Sequence, residues 1–163
     1  MQADRLSRAG QLLGSEWSLT SSESARIQAH YGVPTLDLFA TAENRVVPRF
    51  YSPVPHPEAL AVDALSRDWP RGELLYAFPP TALVQALLQK VRQEPGLQLI
   101  LVASMSPTKP WYADLQSLAI GEPLPVARTQ HTLWQVPSGE EGCRYHSHPE
   151  LFQLGAWRIE SPR

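Results

Sequence analysis

The sequence predicts a three-layer α/β domain built around a small, mostly parallel β-sheet. Three observations carry that prediction. A near-continuous apolar run, Leu97-Gln98-Leu99-Ile100-Leu101-Val102-Ala103, has the length of a strand buried on both faces. Before it, Leu83, Val84, Leu87, Leu88 and Val91 fall at helical spacing. The order from 73 to 118 is strand, helix, strand, helix, which points to parallel βαβ units.

The elements follow in order. Residues 1–19 show no periodicity and read as a tail or extended arm. Thr20-Ser21-Ser22-Glu23 has the form of a capping box. It predicts a helix from about Ser22 to Tyr31, stopped by Gly32. Leu36-Asp37-Leu38-Phe39-Ala40 reads as a short buried strand. Residues 41–57 read as a loop interrupted by a short strand at Arg49-Phe50-Tyr51. Asp63-Ala64-Leu65 and Trp69 fall in a short helical or irregular stretch. A second main strand spans 73–78 and ends at Pro79-Pro80. The helix after it runs from Pro80 to about Gln93, and Pro95-Gly96 makes a turn. Lys109-Pro110-Trp111 opens a helix that continues to about Leu118, with proline near its first turn. Residues 123–136 have room for one edge strand. A last short helix is expected after His148-Pro149, from about Glu150 to Arg158.

Composition narrows the function classes. With 163 residues the chain fits one domain with a real core. It is 43% hydrophobic and 18% charged, with net charge −2. A dedicated nucleic-acid-binding domain usually carries a basic surplus, so contact with nucleic acid needs a local patch. Cys143 is the single cysteine, which excludes an intramolecular disulfide and a cysteine cluster. No stretch approaches the roughly 20 apolar residues of a membrane span. Met1-Gln2-Ala3-Asp4-Arg5 lacks the apolar core of a signal peptide. An intracellular protein, in nucleus or cytoplasm, is the expectation. The sixteen prolines cluster between the periodic segments and mark loops.

In open parallel sheets ligands bind beyond the carboxyl ends of the strands. The first strand end offers Asp37 and Thr41, with Asn44 nearby. The second offers Phe78-Pro79-Pro80, and the third Ser104, Ser106 and Pro107, followed by Trp111. If these strands are neighbours, one crevice collects an acid, a Pro-Pro turn, hydroxyls and an aromatic ring. Such a crevice suits a small polar ligand with a flat ring. Each feature also has a plainer role: Asp37 can orient its own loop, Pro79-Pro80 can end a strand, and Trp111 can wedge into the core. Trp17, Trp69, Trp134 and Trp157 are too scattered to form a base-stacking platform. His146 and His148 lie near Cys143, and these ligand types suit zinc. Without a second pair at matching spacing they read as a surface turn, and no metal site is expected. Ser104 and Ser106 lack nucleophile-elbow glycines. There is neither a P-loop nor a G-x-G-x-x-G fingerprint.

Several ordered segments resemble the region after ribonuclease H in DIRS/Ngaro-type retrotransposon polyproteins. They are Asp37-Leu38-Phe39-Ala40-Thr41 with Asn44, Phe50-Tyr51-Ser52-Pro53, and Asp63-Ala64-Leu65-Ser66 followed by Trp69. Tyr76-Ala77-Phe78-Pro79-Pro80, Val91-Arg92-Gln93-Glu94-Pro95 and Trp111-Tyr112-Ala113-Asp114-Leu115 continue the series, which closes at His148-Pro149-Glu150 and Ala156-Trp157-Arg158. Ala3-Asp4-Arg5-Leu6-Ser7-Arg8 resembles the closing motif of retroelement ribonuclease H, in which the residue matching Asp4 is a metal-binding carboxylate. Two-metal hydrolysis needs several ligands, so Asp4 alone implies no ribonuclease H activity. The resemblance implies a remnant tail and linker at 1–19 and a methyltransferase-type domain at 20–163.

That region is similar in turn to phage-type Dam-like adenine-N6 methyltransferases. The similarity implies a Rossmann-like sheet, a trimmed methyltransferase core and an ancestral S-adenosylmethionine pocket, with Asp37 and Thr41 on the cofactor side. In those enzymes a catalytic strand end carries Asn/Asp-Pro-Pro-aromatic, whose polar residue accepts from the adenine amino group while the ring stacks on the flipped base. The matching residues here are Phe78-Pro79-Pro80-Thr81. Phenylalanine cannot accept that hydrogen bond, and threonine offers no ring face. One lost acceptor in a transition state costs on the order of 3 kcal/mol. The resemblance therefore implies an inactive accessory or nucleic-acid-associated module, with no cofactor unless the ancestral pocket persists. DNA or the neighbouring reverse transcriptase and ribonuclease H domains would be its partners. An active adenine methyltransferase and a plain protein-interaction domain remain open as alternatives.

Overall fold

The computed structural model describes residues 17–127, 132–135, 144–145 and 152–162. The elements run β1 (Ser18–Leu19), α1 (Ser21–Tyr31), β2 (Leu36–Asp37), β3 (Tyr51–Ser52), β4 (Ala61–Val62), β5 (Leu74–Ala77), α2 (Val84–Gln93), β6 (Gln98–Ser104), α3 (Tyr112–Leu118), β7 (Leu124–Pro125), β8 (Leu133–Gln135), β9 (Arg144–Tyr145) and β10 (Leu154–Glu160). Single 3-10 turns lie at Ala64–Ser66 and Thr81–Leu83.

The fold is mixed α/β with a mostly parallel central sheet in the order β2-β5-β6-β10-β7. β2, β5 and β6 are parallel neighbours, with Asp37 opposite Tyr76 and Tyr76 opposite Ile100. β10 enters antiparallel between β6 and β7, pairing from Leu154 with Ser104 to Glu160 with Gln98. The expected closing helix is thus corrected: residues 154–160 form a central strand. Sequence periodicity fails there because Gly155, Ala156, Trp157 and Ile159 are all buried, so both faces of the strand are covered.

Alternation along β6 divides the core. Leu99, Leu101 and Ala103 face α2 and α3 with Leu87, Leu88, Val91 and Leu115. Ile100 and Val102 face the opposite side, with Ile27 of α1, Leu19 of β1 and Leu133 of β8. Ser18 and Leu19, placed in the tail by sequence, pair antiparallel with β8 and belong to the folded unit. The pairing of β8 with β9 completes this second, three-stranded sheet. Expected strand 36–40 is shorter than predicted: only Leu36–Asp37 forms the ladder, although the Leu38 N–H still donates to the Tyr76 carbonyl at 2.9 Å. The strand expected at 49–51 is displaced to Tyr51–Ser52, with Phe50 bridged to Asp37.

α1 begins and ends where the sequence places it, but not by the expected cap. Thr20 makes no side-chain capping bond. Glu23 instead turns outward from the helix start, where it accepts from Arg26 at 2.8 Å and from the Ala127 N–H at 3.2 Å. Arg26 also donates to the Pro125 carbonyl. The pair therefore clips α1 to the segment that carries edge strand β7. Gly32 ends the helix at φ 107°, a conformation that glycine adopts without a Cβ penalty.

Trp157 reports on the central position of β10. It is 3% exposed, and its indole N–H points to the Ala103 carbonyl at 3.4 Å. Its ring meets Tyr112 edge-on at 5.9 Å. Trp157→Ala is expected to lower unfolding free energy by about 3–5 kcal/mol, read from the urea midpoint. A cost below about 1 kcal/mol, typical of surface positions, would contradict the central strand.

Candidate functional site

The site is built from the turn that ends β5. Leu75 and Ala77 point to the α2 side, while Tyr76 and Phe78 point to the other. Pro79 and Pro80 supply no N–H, so the ladder cannot continue through them. The Pro80 carbonyl accepts from the Leu83 N–H at 2.9 Å, and the resulting 3-10 turn feeds α2. Two prolines thus convert a central strand into a helix within a few residues. They leave Phe78 half-buried and Thr81 exposed at the sheet's carboxyl edge.

A cleft of about 230 Å³ opens over this turn, walled by Trp17, Phe78, Pro79, Pro80, Thr81 and Phe152 and closed by Leu133 and Leu154. A smaller lobe of about 80 Å³ shares Phe78, Pro79, Thr81, Phe152 and Leu154 with it. That lobe also reaches Ser104, Lys109 and Trp111. Across Pro80 lies a third cleft of about 190 Å³ between Phe39, Pro53, Asp63 and Leu83. Asp63 has φ 59°, and its carboxylate accepts from the Ser66 hydroxyl at 2.5 Å.

The three predicted strand ends are indeed side by side, because β2, β5 and β6 are parallel neighbours. The acid is nevertheless absent from the clefts. Asp37 is 2% exposed and lines none of the three. Its Oδ2 accepts from the Val46 N–H at 3.1 Å, and its Oδ1 from the Phe39 N–H at 3.3 Å. Thr41 and Asn44 close on each other: the Thr41 N–H donates to Asn44 Oδ1 at 2.7 Å, and the Asn44 N–H to Thr41 Oγ1 at 3.3 Å. Asn44 Nδ2 donates to Ser18 Oγ at 2.9 Å, tying this loop to β1. In this structure Asp37 holds its own loop.

At the third strand end, Ser104 is buried and its Oγ accepts from the Ser106 N–H at 3.0 Å. Trp111 is 4% exposed and packs into the α2–α3 core, although its edge reaches the smaller lobe. Trp69 is equally buried, donating to the Ala64 carbonyl at 2.8 Å. Sequence reasoning missed Trp17, Phe152, Leu154 and Lys109. The first was assigned to a tail, and the next two lie at or beside a strand read as helix. Lys109 lies in the Lys109-Pro110-Trp111 segment that the sequence reads as a helix opening. His146, His148 and Cys143 lie outside the described residues. Among the described residues, no group of three or more His, Cys, Asp or Glu is placed to hold a metal ion.

No family model and no curated protein matches the chain.

Burial raises the Asp37 carboxyl from its ordinary 3.8 to about 7, against the opposing pull of the Val46 and Phe39 N–H donors. Tyr76, buried beside it, is pushed up by desolvation and by the Asp37 charge. Between pH 4 and 7 the folded chain holds a proton at Asp37 that the unfolded chain has released. This group therefore favours the fold fully below about pH 4, and the contribution is lost as pH rises through about 7. The loss amounts to at most about 4 kcal/mol. Asp37→Asn removes the dependence. Urea unfolding at pH 5 and pH 8 should give a stability difference between variant and wild type that moves toward the variant at pH 8. A difference independent of pH would contradict the buried, raised carboxyl.

Proposed function

We propose that the chain is a methyltransferase-like domain of a retroelement polyprotein that has lost methyl transfer and acts as an accessory, nucleic-acid-associated module of the reverse transcriptase. One observation carries the reading. Phe78-Pro79-Pro80-Thr81 occupies the carboxyl end of a central parallel strand, the position at which α/β sheets place their ligands. The turn backbone is kept by the two prolines, while the two residues that would do chemistry on an adenine amine are Phe78 and Thr81. Neither can accept that amine's proton while stacking a base.

The clefts beside the turn support loss of the cofactor as well. At about 230 and 190 Å³ they fall below the roughly 300–1,000 Å³ typical of pockets for drug-sized ligands. Asp37 and Thr41, the residues assigned to the cofactor side, are engaged with loop backbone and with Asn44.

Titration calorimetry with S-adenosylmethionine is expected to show no binding tighter than about 1 mM, or about −4 kcal/mol. Incubation with cofactor and adenine-containing duplex DNA should transfer no methyl group. Retention on immobilised DNA should fall steeply with salt, as phosphate contacts do. Methyl transfer would overturn the inactive reading in favour of an adenine methyltransferase. Failure to be retained on DNA would overturn the nucleic-acid role and leave a protein-interaction domain.

A further inference from the structure

We propose that the two-lobed cleft at the carboxyl ends of β5 and β6 binds a small planar aromatic carboxylate, with the ring in the larger lobe and the carboxylate at Lys109. The inference deepens the proposed function by naming a ligand for the same strand ends, and rests on that reading only in taking this cleft as the functional surface.

The larger lobe fits a ring. Its walls bring Trp17, Phe78 and Phe152 together with the rigid faces of Pro79 and Pro80, and among the described residues no charged side chain lines it. Aromatic walls favour a planar guest through offset or edge contacts beyond simple area burial. Its size sets the guest at one or two fused rings rather than a full nucleotide cofactor.

The smaller lobe fits an anion. It shares Phe78, Pro79, Thr81, Phe152 and Leu154 with the larger as walls, and Lys109 lines it. Among the described residues no carboxylate lines either lobe. Lys109 makes none of the ion pairs found among the described residues. Arg67 and Arg71 share that state but line neither lobe, while Arg26, Arg45, Arg49, Lys90, Arg92 and Arg158 each face an Asp or Glu within 4 Å. Ser104 adds a donor: its oxygen accepts from the Ser106 N–H, which leaves its hydroxyl proton uncommitted. An ammonium and a hydroxyl beside an aromatic-walled lobe make a charge-assisted pair for one carboxylate.

The test uses the full chain and ligand-observed saturation-transfer NMR, followed by titration of backbone amide shifts. Indole-3-carboxylate is the probe and neutral indole-3-carboxamide its control. The acid should bind in the millimolar range or tighter, with shifts centred on 78–81 and 152–154. The amide should bind about tenfold more weakly, as expected for loss of a charged hydrogen-bond partner. Lys109→Met should impose the same deficit on the acid and none on the amide. Thr81→Trp, at an exposed position where folding is checked by circular dichroism, should fill the shared rim and abolish binding of both.

Absence of binding, equal affinity for acid and amide, an unchanged affinity in Lys109→Met, or full binding by folded Thr81→Trp would each overturn the assignment. Adenosine monophosphate forms a separate arm. Tighter, Lys109-dependent binding of that compound would replace the carboxylate by a nucleotide phosphate and overturn the ligand class. Binding of S-adenosylmethionine, by contrast, bears on the inactive-domain reading and leaves this inference standing.

Discussion

The antiparallel ladder between β6 and β10 is the constraint on which the other elements depend. Seven consecutive residues of each strand pair, from Ser104 with Leu154 to Gln98 with Glu160. β6 is thereby satisfied on both edges, by β5 on one side and β10 on the other. Its alternating side chains anchor two separate cores, Leu99 and Leu101 under the helices and Ile100 and Val102 under α1 and the small sheet. β10 in turn carries β7, and β7 is clipped to α1 through Glu23 and Arg26. Displacing β10 would leave a long apolar strand with a row of unpaired backbone groups. Such groups are costly when buried and adhesive when exposed.

The same ladder places the cleft. Met105, just past the end of β6, donates its N–H to the Gln153 carbonyl, which fixes the start of β10 against the end of β6. Phe152 and Leu154 are therefore held opposite the Pro79-Pro80 turn, although more than seventy positions separate them in the chain. β1 contributes from the other terminus. Its pairing with β8 brings Trp17 and Leu133 to the same opening. The site is thus assembled from the two ends of the described chain and one central turn.

How much of this was legible depends on how local each signal was. The run at 97–103 was readable because a strand buried on both faces needs apolar residues throughout. α2 was readable because its buried face repeats at Val84, Leu87, Leu88 and Val91. Gly32 and Gly96, both at positive φ, marked their turns correctly. β10 was not legible, since Ala156 and Trp157 suit a helix as well as a strand. Arg158 was placed at the end of the expected helix. It sits instead in the central strand and donates to Gln98 at 2.9 Å and Glu160 at 3.0 Å. The two-residue strands β1, β3 and β4 carry too few residues for any period to show. Glu23 satisfied a capping pattern by spacing alone, while its carboxylate served a contact about a hundred residues away. At the site, the Pro79-Pro80 turn was evident from composition. For Asp37 the sequence left two roles open, ligand and loop orientation, and the choice between them depends on the 38–46 loop folding back over the strand end.

The placement of the last strand inside the sheet, between β6 and β7, has a consequence for synthesis. β6 leaves the ribosome fifty residues before its partner begins, since Ser104 pairs with Leu154. At roughly 5–20 residues per second this is a wait of about 3–10 s. During it β5 can cover one edge of β6, but the other remains an open, strongly apolar template. The nascent chain thus passes through a window in which its most hydrophobic strand invites pairing with a neighbouring copy. Translation speed and chaperone access over residues 105–160 would then bear on yield alongside the stability of the finished fold.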